Sequence, residues 1–404
     1  MKEVEIRPSL RFDDFNQDWR IVKLGELGST INGLTYSPSN IVENGLLVLR
    51  SSNVQNGELS FIDNVYVDID VSREYKTKIN DILICVRNGS KRLIGKSALV
   101  KNSALNSTHG AFMSVFRGEN SHFTFQLFQT ENYRRQVYAD LGATINSING
   151  KNLLSYRFEV PCSIEQQKIA DFLSSVDKKI NLLKNKMQLL SQYKKSVMQQ
   201  LFSQLIRFKD DNNEAFPDWK EYRFSNILKL QLNTLKMNDE TEYELITVRR
   251  RNGGVDSRGI YKGKEVLVKS QFELKTNQFV ISKRQIVHGA CGLVPEHLAG
   301  AIVSNEYNVF EAESEKLDIN YFNIIAATLP MRRAFFINSS GVHIEKLLFK
   351  TQSWLKTKLD FPCVAEQRKI VEVLSSLDKK IELVNQQIEH TQAFKKGLLQ
   401  QMFV

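Results

Sequence analysis

Several features that would announce an enzyme or a membrane protein are missing from this sequence. Its four cysteines, Cys85, Cys162, Cys291 and Cys363, make neither a CxxC pair nor a dense framework, so a reduced chain without disulfides is expected. The six histidines are scattered, with no HExxH and no Cys/His cluster, and no bound metal is expected. No two of the seven prolines are adjacent. That excludes the Asn/Asp/Ser-Pro-Pro-aromatic tetrapeptide with which amino-methylating DNA methyltransferases grip their target. A GxxxxGK[ST] phosphate loop is also absent, so no nucleotide-driven motor is expected in this chain. No apolar run approaches the roughly 18 residues of a membrane span. Met1-Lys2-Glu3-Val4-Glu5 lacks the basic-then-apolar order of a signal peptide, and the chain is expected to stay in the cytoplasm.

What is present is length, a core-forming composition and positive charge. At 404 residues and 42% hydrophobic content, the chain suits two or three domains with real cores. Lysine and arginine number 55 against 45 acidic residues, a net charge of +10. Such a surplus favours an anionic partner, usually nucleic acid, although a soluble basic protein has the same signature.

The dominant feature is an internal repeat. Pro161-Cys162-Ser163-Ile164-Glu165-Gln166-Gln167-Lys168-Ile169 returns 201 positions later as Pro362-Cys363-Val364-Ala365-Glu366-Gln367-Arg368-Lys369-Ile370. Without a gap, Leu173-Ser174-Ser175-Val176-Asp177-Lys178-Lys179-Ile180 matches Leu374-Ser375-Ser376-Leu377-Asp378-Lys379-Lys380-Ile381. The match closes with Lys194-Lys195 and Phe202 against Lys395-Lys396 and Phe403. A shorter echo precedes each half, Arg11-Phe12 then Asp18-Trp19, and Arg207-Phe208 then Asp218-Trp219. The globular stretches between, about 20–160 and 220–361, share little sequence. Two alike connectors joining two unlike heads suit a device that holds two readers at a fixed separation. From Met1 to the last helix the chain reads as a closed two-unit repeat.

The repeated segments have the spacing of long helices. Ile169, Leu173, Val176, Ile180, Leu183, Met187 and Leu190 step alternately by four and three, the heptad seam along which helices pair. Ile370, Leu374, Leu377, Ile381, Val384 and Ile388 repeat it in phase; Thr391 breaks the stripe before Phe394, Leu398 and Met402. Each helix of about 40 residues would span roughly 60 Å. Pro161 and Pro362 mark the starts, and Glu165 and Glu366 fall in the first turns, where a carboxylate complements the helix dipole. Pairing of the two stripes within the chain, antiparallel by the pseudo-twofold repeat, is expected; packing on other subunits is the alternative.

Both heads read as mixed α+β with short strands that run into basic loops. Asp81-Ile82-Leu83-Ile84-Cys85-Val86 leads to Arg87, Asn88, Ser90, Lys91 and Arg92; Gly45 to Arg50 is a second short apolar run. In the other head Glu244-Leu245-Ile246-Thr247-Val248 leads to Arg249, Arg250, Arg251 and Asn252. Gln278-Phe279-Val280-Ile281 leads to Lys283, Arg284 and Gln285, with His288 close behind. Arginine reads guanine edges, asparagine and glutamine read adenine, and lysine holds phosphates, so these are candidate DNA-contacting residues. A solvated turn explains any one loop as simply. Asn146, Asn149 and Lys151 form either a further DNA loop or a connector. A nuclease triad from Asp218, Glu273 and Lys275 is rejected because Asp218-Trp219 belongs to the repeat.

The twice-occurring Pro-Cys-x-x-Glu-Gln-x-Lys-Ile helix after variable heads resembles the specificity subunits of type I restriction–modification systems, over essentially the whole chain. Family members often carry Pro-Leu or Pro-Pro where Cys162 and Cys363 stand. The resemblance implies an α+β protein with two target-recognition domains and two long helices in an antiparallel coiled coil. Its segments would be a first target-recognition domain (1–160), a first helix and exit (161–206), a linker with the second target-recognition domain (207–361) and a second helix (362–404). It implies a non-catalytic subunit that reads a bipartite asymmetric site on double-stranded DNA, the helix pair setting the spacer. Two methyltransferase subunits and motor–nuclease subunits would be its partners, carrying S-adenosylmethionine, ATP and Mg. Two other readings stand beside it: a coiled-coil scaffold whose heads grip proteins, and the specificity portion of a fused methyltransferase–nuclease.

Overall fold

The computed structural model describes residues 7–141 and 146–404, so the segment Met1-Lys2-Glu3-Val4-Glu5 lies outside the described residues. The chain forms two compact units, Met1–Gln188 with Leu383–Val404, and Leu189–Glu382. Each long helix, Ser163–Phe202 and Val364–Met402, is divided between them.

The first unit holds a four-stranded antiparallel sheet in the order Gly28–Asn32, Met113–Gly118, Ile82–Cys85, Ser97–Leu99. All four residues of Ile82–Cys85 are buried, which is why the strand is a continuous apolar run rather than an alternating one. A second sheet runs Thr108–His109, Leu46–Leu49, Tyr66–Val67, Ile41–Val42, its first pair parallel. Arg20–Lys23 pairs antiparallel with Arg157–Val160, bringing the two ends of the head side by side where the long helix begins.

The second unit repeats the antiparallel sheet and the closing ribbon and differs at the edge of its other sheet. Leu228–Leu230, Tyr307–Ala312, Phe279–Ser282 and Cys291–Leu293 make the antiparallel sheet. The other sheet runs Val255–Lys262, Glu242–Val248, Ile302–Ser304, Gln271–Glu273. Its parallel pair, Glu242–Val248 with Ile302–Ser304, corresponds to Leu46–Leu49 with Thr108–His109. Its fourth strand pairs with Ile302–Ser304, whereas Ile41–Val42 lies at the opposite edge of the first head's sheet. Lys220–Arg223 pairs with Lys358–Phe361 as the closing ribbon. The heads thus share an antiparallel sheet, a closing ribbon and one parallel strand pair, a common topology that their unlike sequences conceal. Their cores are aromatic, built around Phe116, Phe123, Tyr133 and Phe158 in one and Phe224, Phe279, Phe322 and Trp354 in the other.

Within each unit the helix segments come from opposite ends, which is the exchange made by an antiparallel pair. In the first, Ile169, Leu173, Val176 and Ile180 share a core with Leu398, Met402 and Phe403. In the second, Ile370, Leu374 and Leu377 share one with Val197 and Leu201. Val384 and Ile388 are also buried, while Leu183, Met187 and Ile381 are half-buried.

One expectation for the stripe is corrected. Phe394 is 56% exposed, and Lys395 is buried in its place. The seam never breaks at Thr391: it runs Val384, Ile388, Thr391, Lys395, Leu398, Met402 in unbroken steps of four and three. Lys395 keeps its amine in the seam by donating to both oxygens of Asp177, at 2.6 and 2.8 Å, and to Gln129 Oε1 at 2.7 Å. Its repeat counterpart, Lys194, bonds the matching Asp378 at 2.5 Å in the second unit.

The prolines stand outside the helices, and the repeated glutamines bind them. Gln166 donates to the Pro161 carbonyl at 2.9 Å and Gln367 to the Pro362 carbonyl at 2.8 Å. Each glutamine oxygen accepts from its own head, Gln166 from Asn120 Nδ2 and Gln367 from the Asp318 amide. The Glu-Gln pair is therefore the joint between helix and head.

Candidate nucleic-acid interface

In the first head the buried strand Ile82–Cys85 delivers the chain to the surface at Arg87. Arg87 bridges to Ser147, and its guanidinium lies 5.7 Å from the Phe112 ring centroid. Asn88 is half-buried and committed: it donates to Ser51 Oγ at 2.9 Å, and its Oδ1 accepts from the Ser90 amide at 3.0 Å. Asn146 donates to the Gly89 carbonyl at 3.2 Å, so the stretch before the helix lies directly against the basic loop. Asn149 caps the short helix Gly150–Ser155 through the Lys151 amide. Arg87, Ser90, Lys91, Arg92 and Lys151 are exposed, and the four cations among them have no ion-pair partner among the described residues.

The sequence reading missed one loop here. Arg50 to Asn53 follows the strand Leu46–Leu49 and touches the basic loop through Ser51. Arg50 pairs with Asp63 at 2.8 Å, and Lys96 donates to the Ser51 and Val54 carbonyls. The sequence signal is the same as elsewhere, a cation directly after a short apolar strand, and Arg50 itself reads equally as the end of that strand.

The second head brings together the two loops expected from its sequence. The turn after Glu242–Val248 holds Arg251 and Asn252 at φ 60° and 56°, unusual for residues other than glycine. Docking supports the strain: the Arg251 and Asn252 amides donate to the carbonyls of His288 and Gly289, both at 2.7 Å. Three of the five cations in these two loops are held by carboxylates. Arg249 pairs with Asp256, Arg250 with Glu345 at 3.0 Å, and Arg284 with Glu306 at 2.6 Å. The bond to Glu306 raises the Arg284 guanidinium above its ordinary value. Lys283 donates to the Asn305 carbonyl at 2.5 Å, while Gln285 Oε1 is buried with no partner among the described residues. Arg251 is exposed and outside these pairs.

Among the described residues no group of three or more His, Cys, Asp or Glu is gathered as a metal ion would need. Nor is any helix of the described residues long and apolar enough to cross a membrane.

The fold and its loops define a protein made of two copies of one mixed α/β head, each followed by one long helix, with different loops on a common plan. The chain belongs to the family described as type I restriction modification DNA specificity domain, whose model matches residues 16–192 and 217–391. It is 25% identical over 246 residues to the type I restriction enzyme EcoKI specificity subunit of Escherichia coli K12, covering 59% of this chain and 50% of that one. To the StySPI specificity subunit of Salmonella potsdam it is 24% identical over 251 residues, covering 58% and 53%. The chain therefore spans about half the length of these curated relatives. A putative MjaX specificity subunit of Methanocaldococcus jannaschii is 21% identical over 402 residues, 95% of this chain and 92% of that one. Among solved structures, a type I restriction–modification S subunit from M. genitalium superposes with a TM-score of 0.60 at 15% identity, covering 99% of both chains. At that identity the likeness establishes the shared fold.

Proposed function

We propose that this chain is the sequence-reading, non-catalytic specificity subunit of a type I restriction–modification complex. Each head reads one half of a bipartite, asymmetric site on double-stranded DNA, and the helix pair sets the unread spacer. The observation that carries this reading is the pairing of a shared head topology with unlike basic loops at matching positions. A common scaffold with divergent loops is what reading two different half-sites requires. Lysines and arginines would fix register on phosphates, with binding weakening as salt rises. The candidates for base edges are Arg87, Asn88, Arg250, Arg251, Lys283, Arg284 and Gln285. Two methyltransferase subunits using S-adenosylmethionine, and motor–nuclease subunits using ATP and Mg, supply the chemistry in the cytoplasm. The proposed domain boundaries are 1–160, 161–206, 207–361 and 362–404.

The test is single-molecule sequencing of adenine methylation in cells expressing this chain with its neighbouring methyltransferase, against the methyltransferase alone. A gapped bipartite motif that depends on this chain is the expected result. An active methyltransferase whose motif ignores this chain would overturn the reading.

A further inference from the structure

The hairpin Ser339–Ser340 with Leu348–Phe349 carries Glu345 in its tip and sets it against both basic loops of the second head. Glu345 Oε2 accepts from Arg250 Nη2 at 3.0 Å, and Oε1 lies 3.3 Å from His288 Nε2. The side chain is still 58% exposed. A carboxylate on a surface that faces phosphates opposes binding by like-charge repulsion. The other two carboxylates of this surface are close neighbours of the cations they hold, Asp256 across one hairpin from Arg249 and Glu306 across one sheet pair from Arg284. Glu345 instead comes from a segment 95 positions beyond Arg250 and meets two loops at once.

An ionised carboxylate offers about four lone-pair positions, and Arg250 occupies one. The tip is open: Val342 is 88% exposed and Ile344 54%, with His343 and Lys346 exposed beside them. An exposed acceptor between a guanidinium and an imidazole, on an open tip, matches an exocyclic amino group at a base edge. Glutamate and aspartate accept from cytosine N4 in the major groove, and arginine beside them reads guanine. We propose that Glu345 is a specificity-determining residue of the second head, accepting a hydrogen bond from an exocyclic amino group, cytosine N4 foremost. The proposal rests on the DNA-reading function proposed above and narrows it to one contact.

The experiment compares wild type, Glu345→Gln and Glu345→Ala, each expressed with the neighbouring methyltransferase, by sequencing adenine methylation. The wild-type motif tests DNA reading by itself; if no motif depends on the wild-type chain, that reading falls and the Glu345 contact with it. Given a motif, Glu345→Ala should relax one position of one half-site, where the wild-type base carries an amino group. Methylation of the disfavoured bases there should rise about ten-fold or more. Glu345→Gln keeps an acceptor oxygen and should relax the same position less. An unchanged motif in both variants overturns the proposal. So does a uniform loss at all sites, which would make Glu345 a prop for Arg250, and so does a uniform gain, which would mark simple repulsion of phosphates.

Discussion

Arg11 grips Glu165 through two parallel hydrogen bonds, both 2.8 Å, and Arg207 grips the repeat-related Glu366 in the same way at 3.1 and 2.7 Å. The glutamates have side chains only 1% exposed. Each arginine also donates to a backbone carbonyl of its own lead-in, that of Gln17 in one case and Pro217 in the other. The two echoes found in the sequence, Arg-Phe to Asp-Trp and the Glu-Gln helix start, are therefore the halves of one clasp. The bond to glutamate is also the main reason that both guanidiniums lie above their ordinary value.

Removing one side of the clasp leaves a buried carboxylate without its partner. Arg11→Ala is expected to cost the first unit about 3 kcal/mol, as for other broken buried pairs. Arg11→Lys should recover only part, because a point-charge ammonium cannot reproduce the fork. Urea unfolding of the three proteins measures this; equal midpoints would show that the clasp contributes nothing to stability.

The seam pair Asp177–Lys395 calls for a different pair of variants. Burial pushes the Lys395 amine down, against the upward pull of Asp177, so the lysine depends on its partner. Asp177→Ala should destabilise by about 2–4 kcal/mol, below the largest values because Asp177 is 30% exposed. The double variant Asp177→Leu/Lys395→Met should unfold near the wild-type midpoint, since apolar replacement of both partners removes the desolvation cost. In the second unit Asp378 is 59% exposed, and Asp378→Ala should cost under about 1 kcal/mol.

These elements also mark how far the sequence alone could go. The helices were legible because a heptad stripe is a local, periodic signal, and the repeat supplied it twice. Lys395 escapes a stripe traced by apolarity, although the four-and-three spacing runs straight through it. The clasp was visible only as an unexplained echo, since Arg11 and Glu165 are far apart in sequence. The strands ending at Cys85 and Val248 were found from their apolar runs. The shared head topology was not, because it depends on pairings such as Thr108–His109 beside Leu46–Leu49 that no local pattern records. Glu345 shows no motif and gains significance only from the two loops it meets.

The four thiols give a test of burial and of pH dependence. Cys162 is exposed, whereas Cys85 and Cys291 are buried, and burial pushes the Cys291 thiol up to about 12. Native protein at pH 8 should alkylate at Cys162 and remain unmodified at Cys85 and Cys291 until denatured, as mass spectrometry would read. A raised thiol keeps its proton longer in the fold than in the unfolded chain. Its stabilising contribution is thus full below about pH 9 and is lost as pH climbs towards about 12. Cys291→Ala should flatten that part of the alkaline unfolding curve; an unchanged slope would contradict the assignment.

The asymmetry between the heads leads to a prediction about salt. In the first head Arg87, Lys91, Arg92 and Lys151 are exposed and outside any ion pair among the described residues, while in the second Arg249, Arg250 and Arg284 each hold a carboxylate. Cations without partners neutralise phosphates at no cost of breaking a pair, so the first head should carry more of the salt dependence. Lys91→Ala with Arg92→Ala should reduce the slope of log affinity against log salt by about one unit per lost phosphate contact and weaken all sequences alike. Arg250→Ala should instead relax one position of the other half-site, at about 1–3 kcal/mol of lost discrimination. Titrations of the complete methyltransferase assembly at several salt concentrations, on cognate and singly altered sites, separate these outcomes. If Arg92 proves sequence-selective and Arg250 uniform, the division of labour runs the other way, and the free cations of the first head are its base readers.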